Sequence, residues 1–146
     1  MNIEEMRDQF VQWYGDRGDG PVPQPGQWAR ILGRPPEDPV TLINFFKFRD
    51  LADYGHGEES TTGQAAFEKY TAVSIPGMAR AGGTFLMVAP FEATLIGPEE
   101  DWDLVAVGSY PNLQAFLDLY RDEAYRAAFR HRSAACARQK VLLAAA

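Results

Sequence analysis

One predicted helix near the carboxyl end of the chain carries an arginine on an apolar face. Residues 122–136 read DEAYRAAFRHRSAAC, and Tyr125, Phe129, Arg132 and Cys136 recur at the spacing of a single helical face. Burying a guanidinium on such a face is costly unless a carboxylate, a hydrogen-bond acceptor or an anionic ligand meets it. Arg132 is therefore the first candidate for a functional residue.

Two interpretations of Arg132 stay open at this point. A guanidinium held among aromatic side chains is suited to bind a carboxylate or an enolate through a charge-assisted, bidentate contact. Alternatively, Arg132 forms a structural ion pair with Asp53, Glu68 or Asp103, or caps backbone carbonyls. The first interpretation predicts a cavity beside the guanidinium, and the second predicts carboxylates that saturate it.

His131 is the second candidate for a catalytic residue. It lies off the apolar face of the same helix, beside the small residues Ala124, Ala128 and Ala135, which leave room for the ring to turn toward a cavity. An imidazole titrates near neutral pH and can serve as a general base. The alternative is an inert histidine on the flank of a helix.

A third set of candidates comprises an amide and several aromatic side chains. Asn44 shares a strand face with Phe46 and Phe48, where it either orients a substrate carbonyl or bonds to neighbouring backbone. The other aromatic residues predicted to line a pocket between sheet and helices are equally consistent with an ordinary core. They are Tyr54, Tyr70, Trp102, Tyr110 and Tyr125.

Several functional motifs are missing from the sequence. The two histidines and one cysteine show no HxxxH or CxxC spacing, so no metal site is predicted. Neither GxGxxG nor GxxxxGK occurs, so we predict no nucleotide and no other cofactor. Cys136 lies on the apolar face, where nothing favours a nucleophilic thiolate.

Composition narrows the class of protein. The chain has 146 residues, about the size of one domain, and a net charge of −6. Its acidic balance argues against nucleic acid as a partner, and its apolar runs are too short to span a membrane. A lone cysteine and an amino terminus without secretion features favour a cytoplasmic protein.

The first 38 residues are predicted to be an arm attached to the main domain. Asn2 and Glu5 form a capping pair for a helix that ends at Gly15. Six of the ten prolines follow between Gly15 and Pro39, which leaves room only for a short helix around residues 28–32. Apolar residues including Trp13 and Trp28 favour packing of this arm onto the domain.

Residues 39–146 show alternating strand and helix patterns in the order βαββαβ. This order predicts an α+β, ferredoxin-like fold, with an antiparallel sheet that carries its helices on one face. The predicted elements are a strand 40–48, a loop 49–60, a helix capped by Thr61 and closed by Gly82 and Gly83, with its regular part kinked or ended at Pro76, a strand 84–96 bent at Pro90, a strand 102–110, a helix from Asn112 that is re-capped at Asp122 and reaches about Ala137, and a strand 140–143.

The predicted sheet has apolar residues on both faces. Leu42 and Phe46 point to one side of the first strand, whereas Ile43 and Phe45 point to the other. Helices are expected to cover only one of these faces. We therefore predict a symmetric homodimer in which the uncovered faces pack together.

The region after residue 38 resembles the DUF1330 family of dimeric α/β-barrel proteins. The resemblance rests on NFFKFRDLADYG at residues 44–55, the Gly82-Gly83 pair, LIGPEEDWD at residues 95–103, and the long stretch YPNLQAFLDLYRDEAYRAAFRHRSAA. It implies a dimeric α/β-barrel domain over residues 39–146 that acts on small molecules, without assigning a reaction.

Two functional hypotheses follow. In the first, the protein is a cofactor-independent isomerase, cyclase, lyase or oxygenase for an aromatic or keto-acid-like substrate, with Arg132 holding an anion and His131 or a tyrosine moving protons. In the second, it is a ligand-binding or structural homodimer without turnover.

Overall fold

A computed structural model describes residues 2–16, 21–55 and 61–145 of the chain. Within these ranges the βαββαβ core is preceded by two helices, and its second helical segment is divided in two. The elements are α1 (Ile3–Tyr14), α2 (Pro25–Leu32), β1 (Val40–Phe48), α3 (Gly63–Ala81), β2 (Thr84–Pro90), β3 (Leu104–Tyr110), α4 (Leu113–Arg121), α5 (Glu123–Ala135) and β4 (Cys136–Ala145).

The four strands form one antiparallel sheet in the order β2-β3-β1-β4. The connection from β1 through α3 to β2 therefore passes over β3, which inserts between the two strands. This arrangement confirms the predicted α+β, ferredoxin-like fold. It also makes β1 a central strand, so that side chains on both of its faces lie near the middle of the sheet.

Short polar side chains begin most of the helices, as the sequence predicts. The Asn2 side chain accepts a hydrogen bond from the Glu5 amide at 2.8 Å, and the Asn112 and Asp122 side chains cap α4 and α5 in the same way. The predicted cap of α3 was wrong by one residue. Thr62, not Thr61, accepts from the amide three residues ahead, and α3 continues past Pro76 to Ala81.

The predicted strand 84–96 was too long. Strand β2 ends at Pro90, which has no amide hydrogen for the ladder, and its partner β3 begins only at Leu104. The segment between them is loop, in which the Leu95 side chain is 95% exposed. Apolar residues at 95 and 96 resembled a strand, but no neighbouring strand pairs with them.

The predicted boundary between the last helix and strand was also displaced. Helix α5 ends at Ala135 and β4 begins at the next residue, Cys136, rather than at Lys140. The long pairing with β1 explains the difference, because Phe48 opposes Cys136 and Phe46 opposes Gln139. Four residues assigned to helix or loop from the sequence therefore belong to an edge strand.

The amino-terminal arm packs into the main hydrophobic core. Trp28 of α2 is fully buried and stacks on Phe10 of α1, with 4.4 Å between the ring centroids. The Tyr14 hydroxyl donates a hydrogen bond of 2.7 Å to the Tyr120 carbonyl of α4. Residues 1–38 thus contribute side chains to the same core as the sheet, and their separation as a domain stays a prediction.

The two faces of the sheet have different surroundings. Phe46 on the inner face packs against Phe67 of α3, with ring centroids 4.7 Å apart. On the outer face, Ile43 lies between Val107 and Leu142, since directly opposed residues share a face. Leu142 is 46% exposed, so this side of the sheet is only partly covered. Among the described residues no helix is long and apolar enough to cross a bilayer.

Candidate functional site

Arg132 lies on the inner face of the sheet with only 5% of its surface exposed. Its Nε donates to Gln139 Oε1 at 2.7 Å, and one terminal nitrogen donates to the Tyr70 hydroxyl at 3.0 Å. The other terminal nitrogen reaches Asn44 Oδ1 only at 3.5 Å. Three neutral oxygens from α3, β1 and β4 thus hold the guanidinium, and the contact to Asn44 is the longest.

Aromatic rings form the rest of the surroundings of this guanidinium. Its central carbon lies 4.9 Å from the Phe46 ring centroid, 5.5 Å from Tyr70 and 5.4 Å from Phe129. These distances fit cation–π contacts, which partly offset the lost hydration of the charge. The environment is therefore apolar on several sides and carries no formal negative charge of its own.

The ion pair expected as one alternative for Arg132 is not formed. Among the described residues no carboxylate pairs with its guanidinium. Asp103 instead accepts from the Phe48 amide and from Lys47, while Asp53 accepts from the Gly55 amide. Arg132 is thus a buried cation whose protein partners are neutral.

The protonation of Arg132 follows from these surroundings. Burial disfavours the charged form and acts to lower its pKa, but the oxygens of Tyr70, Tyr120 and Tyr125 act the other way and raise the pKa above its usual value. A guanidinium is fully protonated at neutral pH even without such help. The side chain therefore presents a permanent positive charge.

Tyrosine hydroxyls extend the polar network away from Arg132. The Tyr70 and Tyr125 hydroxyl oxygens are 2.7 Å apart and share a hydrogen bond. Burial is the main cause that raises the pKa of Tyr125, Tyr120 and Tyr110 above the ordinary tyrosine value. These hydroxyls keep their protons at neutral pH, so they can donate hydrogen bonds but are weak acids and poor bases.

Asn44 connects the network to the sheet. Its amide nitrogen donates to the Ala106 carbonyl of β3 at 3.0 Å, which directs its oxygen toward Arg132. The backbone contact offered as one interpretation of Asn44 is formed, and its role in orienting a substrate carbonyl stays a prediction. Contact with backbone fixes the orientation of the side chain, and its oxygen is left beside the cation.

A cavity of about 160 Å³ adjoins this network between the sheet and helices α3, α4 and α5. Six of the predicted site residues meet in its wall, whereas the other four lie elsewhere. Those in the wall are Asn44, Phe46, Tyr70, Tyr110, Tyr125 and Arg132.

His131 is not brought together with Arg132. Its Nδ1 lies 2.7 Å from the Tyr54 hydroxyl, and the two rings meet edge to face. Neither residue is part of the cavity wall beside Arg132. Successive residues of a helix point in directions about 100° apart, which explains why neighbours in sequence serve different surroundings.

Trp102 and Phe48 also lie outside the cavity. Trp102 packs against Phe45 on the outer face of the sheet and donates from Nε1 to Glu100 at 2.8 Å. Its prediction as a lining residue was wrong, because β3 begins two residues later than expected. Phe48 packs on Phe67 near the end of β1, with ring centroids 4.9 Å apart.

Comparisons with known proteins identify the family. The sequence profile of the domain of unknown function DUF1330 matches residues 54–146. The chain belongs to the DUF1330 family. The match begins later than the resemblance predicted from residue 39, so the arm and β1 lie outside it.

Solved structures agree with this assignment. The crystal structure of methylated RPA0582 protein is similar with a TM-score of 0.81 and 33% sequence identity, covering 88% of this chain and 96% of that one. A structure of RPA0582 from Rhodopseudomonas palustris, described as a protein of unknown function, gives 0.78 and 31%, covering 87% and 96%. No curated protein matches the chain.

Three polar contributors in this DUF1330 protein were not predicted. Gln139 accepts the shortest hydrogen bond of Arg132, yet it lay in a stretch assigned to loop. Tyr120 lines the cavity but was treated as an ordinary helix residue. Ser74 is buried in the same wall, and its place beside Tyr70 on one helical face was the signal available in the sequence.

The described residues near this cavity do not favour metal binding or a nucleophilic thiolate. No group of three His, Cys, Asp or Glu side chains in the described ranges is arranged to hold a metal ion. Burial raises the pKa of the Cys136 thiol to about 11, so the nucleophilic thiolate is scarce at neutral pH. The chemistry available beside Arg132 is that of a cation and neutral hydroxyl and amide groups.

Proposed function

We propose that this protein binds a small organic anion in the cavity between sheet and helices, with Arg132 as its cationic anchor. The observation that carries the proposal is a buried guanidinium with neutral protein partners and no paired carboxylate among the described residues. An uncompensated charge is costly to keep out of water. An anionic ligand beside Arg132 supplies the missing countercharge.

The size of the cavity favours a ligand with a single ring or a short chain. An apolar cavity of roughly 150 Å³ is large enough to bind benzene, and this one measures about 160 Å³. Phe46 and Phe67 provide apolar contact, while Thr71 and Ser74 add hydroxyl groups to the wall. An aromatic carboxylate or a short keto acid fits this combination.

The arrangement of donors favours binding through oxygen atoms. The terminal nitrogen of Arg132 that reaches Asn44 has the weakest protein contact, so a carboxylate can replace that contact at little cost. Tyr70 and Tyr125 share a hydrogen bond and can redirect their protons toward an incoming oxygen. The ligand carboxylate therefore receives charge-assisted hydrogen bonds.

The binding experiment is calorimetric titration with benzoate and with benzamide, its neutral counterpart. We expect benzoate to bind the wild type and Arg132→Leu to weaken that binding by about 100-fold, because roughly 3 kcal/mol of charge-assisted bonding is lost. Benzamide should respond far less to the substitution. Lys47→Met, which removes a cation from the outer face, is the matched control and should bind benzoate normally.

Two results would overturn this proposal. One is equal binding of benzoate to the wild type and to a folded Arg132→Leu variant. The other is the absence of any stabilisation of the wild type by a panel of benzoate, phenylacetate and phenylpyruvate in thermal denaturation, since a ligand specific for the folded state must raise its stability.

Catalysis by the same site is a second candidate function, as a cofactor-independent isomerase, cyclase, lyase or oxygenase. It is favoured by the chain of hydrogen bonds from Arg132 through Tyr70 to Tyr125, which places a cation and two hydroxyl groups beside the cavity, where they could stabilise an enolate. Exchange of the acidic carbon-bound protons of phenylpyruvate in heavy water tests it by NMR. Faster exchange than in buffer, reduced by Tyr125→Phe, would support an enzyme, whereas no acceleration favours a binding protein.

We also propose that two copies of the chain associate through the outer faces of their sheets. The apolar strip formed by Ile43, Phe45, Val105 and Val107 crosses the middle of this face, and charged residues border it. Apolar patches bordered by polar residues are typical of protein interfaces. A two-fold arrangement places the same strip on both partners.

Sedimentation equilibrium tests this association. We expect twice the chain mass of 16.3 kDa at micromolar concentration, and the monomer mass for Val107→Lys, which places like charges near the two-fold axis. Leu95→Lys in the exposed loop is the control and should stay dimeric. A wild type that sediments as a monomer at this concentration would contradict the proposal.

A further inference from the structure

A second and larger cavity lies between α2 of the arm and the edge strand β4. Its volume is about 610 Å³, within the range typical of small-molecule sites and well above that of the inner cavity. Ile31 lies on the α2 side, Val141 and Leu143 on the β4 side, and Phe116 and Phe129 in the helical wall. Leu42, Tyr120 and Arg132 line both cavities.

The charged residues in the wall of this cavity are all basic, although the chain as a whole is acidic. Arg30, Arg34, Arg132 and Lys140 contribute to its wall, and no aspartate or glutamate does so among the described residues. Lys140 is already paired with Glu100 at 3.0 Å. The three arginines form no ion pair with any described carboxylate.

Two buried hydrogen-bond donors belong to residues of this same wall. Trp28 Nε1 and Arg34 Nη1 are closed off from solvent and make no hydrogen bond within the described part of the chain. The other terminal nitrogen of Arg34 makes only a long contact of 3.5 Å with the Pro39 carbonyl. Buried donors are nearly always paired in native proteins. Trp28 is fully buried and its Nε1 cannot reach the cavity, whereas Arg34 is partly exposed and can turn its unpaired nitrogen toward an acceptor there.

We propose that the cavity between α2 and β4 is a second binding site, for an organic anion with a larger apolar body than the inner cavity can hold. Rotation of the partly exposed Arg34 side chain brings its unpaired nitrogen to a ligand carboxylate, and Arg30 adds a second positive charge to the wall. Ile31, Val141 and Leu143 pack against the apolar body. The arm thereby acts as a binding element.

This site is distinct from the one proposed above, although Arg132 borders both. Arg34 lies outside the wall of the inner cavity, so its substitution should affect the larger cavity alone. A ligand in the larger cavity also bridges α2 and β4, which lie far apart in the sequence. It should consequently hold the arm against the sheet.

The test uses naphthoate, a two-ring carboxylate, and benzoate as the smaller probe, both titrated by calorimetry. We expect Arg34→Met to weaken naphthoate binding about tenfold or more, because a charge-assisted contact is lost, and to leave benzoate binding unchanged. Lys47→Met is again the control for loss of a positive charge.

The outcomes separate the two proposals. Naphthoate binding that depends on Arg34 supports the second site, even if benzoate fails to bind and the inner anion site is abandoned. Naphthoate that binds Arg34→Met as tightly as the wild type overturns the second site, as does naphthoate that does not bind the wild type. Circular dichroism of each variant establishes that it is folded.

Discussion

The two faces of the sheet hold their cations in opposite ways. On the outer face, the partly exposed Lys47 and Lys140 pair with exposed carboxylates, Lys47 with Asp101 at 3.1 Å and Lys140 with Glu100 at 3.0 Å. On the inner face, Arg132 is buried among tyrosines and phenylalanines and has no carboxylate partner among the described residues. Among the described residues, carboxylates therefore accompany the lysines that water already screens, whereas no carboxylate accompanies the buried Arg132.

This difference distinguishes a structural role from a ligand-binding role. Exposed ion pairs contribute little to stability because solvent and salt screen them. A buried cation with only neutral partners lowers the stability of the fold relative to a paired one. Its presence is explained if an anionic ligand binds beside it. The inner face is therefore the side on which function is expected, although both faces carry positive charge.

The largest expected effect comes from reversing the inner charge. Arg132→Glu places an acceptor-only carboxylate against the oxygens of Tyr70 and Gln139, and we expect it to lower the free energy of unfolding by about 3–5 kcal/mol. Lys47→Glu on the outer face should change it much less. Urea denaturation measures both, and equal effects would remove the distinction between the faces.

We expect the two faces of the sheet to contribute to stability in different ranges of pH. Burial raises the pKa of Cys136 from 9.0 to about 11, so its stabilising contribution is complete below pH 9 and is lost as the pH rises toward 11. The Trp102 and Lys140 contacts lower the pKa of exposed Glu100, so its contribution is complete above its ordinary pKa of 4.5 and is lost in acid.

Urea midpoints measured from acid to alkaline pH test this division. The loss at alkaline pH can reach about 1.4 kcal/mol per pH unit for one group, and Cys136→Ala should reduce it. Glu100→Gln should alter only the acid side. A Cys136→Ala variant with an unchanged alkaline profile would show that the thiol does not contribute.

A smaller effect is expected from the tyrosine network. Tyr125→Phe removes the buried hydrogen bond to Tyr70 and should lower the free energy of unfolding by about 1–2 kcal/mol. Tyr54→Phe, whose hydroxyl lies beside half-buried His131, is the matched control and should cost less. Thermal denaturation compares the two, and a larger loss for Tyr54→Phe would contradict the ranking.

The smallest effect is expected from the outer ion pairs. Lys140→Met removes the contact with Glu100. Because solvent and salt screen this ion pair, its loss should lower the free energy of unfolding only slightly, and added salt should abolish the difference from the wild type. Thermal denaturation at low and high salt is the measurement. A large destabilisation that persists at high salt would assign the outer face a role in stability.

Local patterns predicted the order of elements well. Asn2, Asn112 and Asp122 cap helices as expected, and the alternation in β1 correctly separated Ile43 from Leu42. The predicted ends of strands were wrong where the neighbouring strand determines them. Strand β2 ends at Pro90 because β3 provides no further partner, and β4 begins at Cys136 because β1 extends to Phe48.

The candidate site was predicted in part for the same reason. Four residues that the sequence places on the inner face of a strand or helix meet at one cavity, namely Asn44, Phe46, Tyr70 and Arg132. Trp102 was predicted to line a pocket from its place at the end of a strand, and His131 from its small helical neighbours, but both contact other surroundings. Gln139 was missed because its strand was not recognised.

The amino-acid sequence by itself determined that Arg132 lies on an apolar helical face, since side-chain direction in a helix follows from spacing alone. It likewise determined the ferredoxin-like order of elements. Only the tertiary structure decided what surrounds the guanidinium, because Tyr70, Asn44 and Gln139 come from distant segments. A countercharge is a property of three-dimensional neighbours, and for Arg132 no described neighbour provides one.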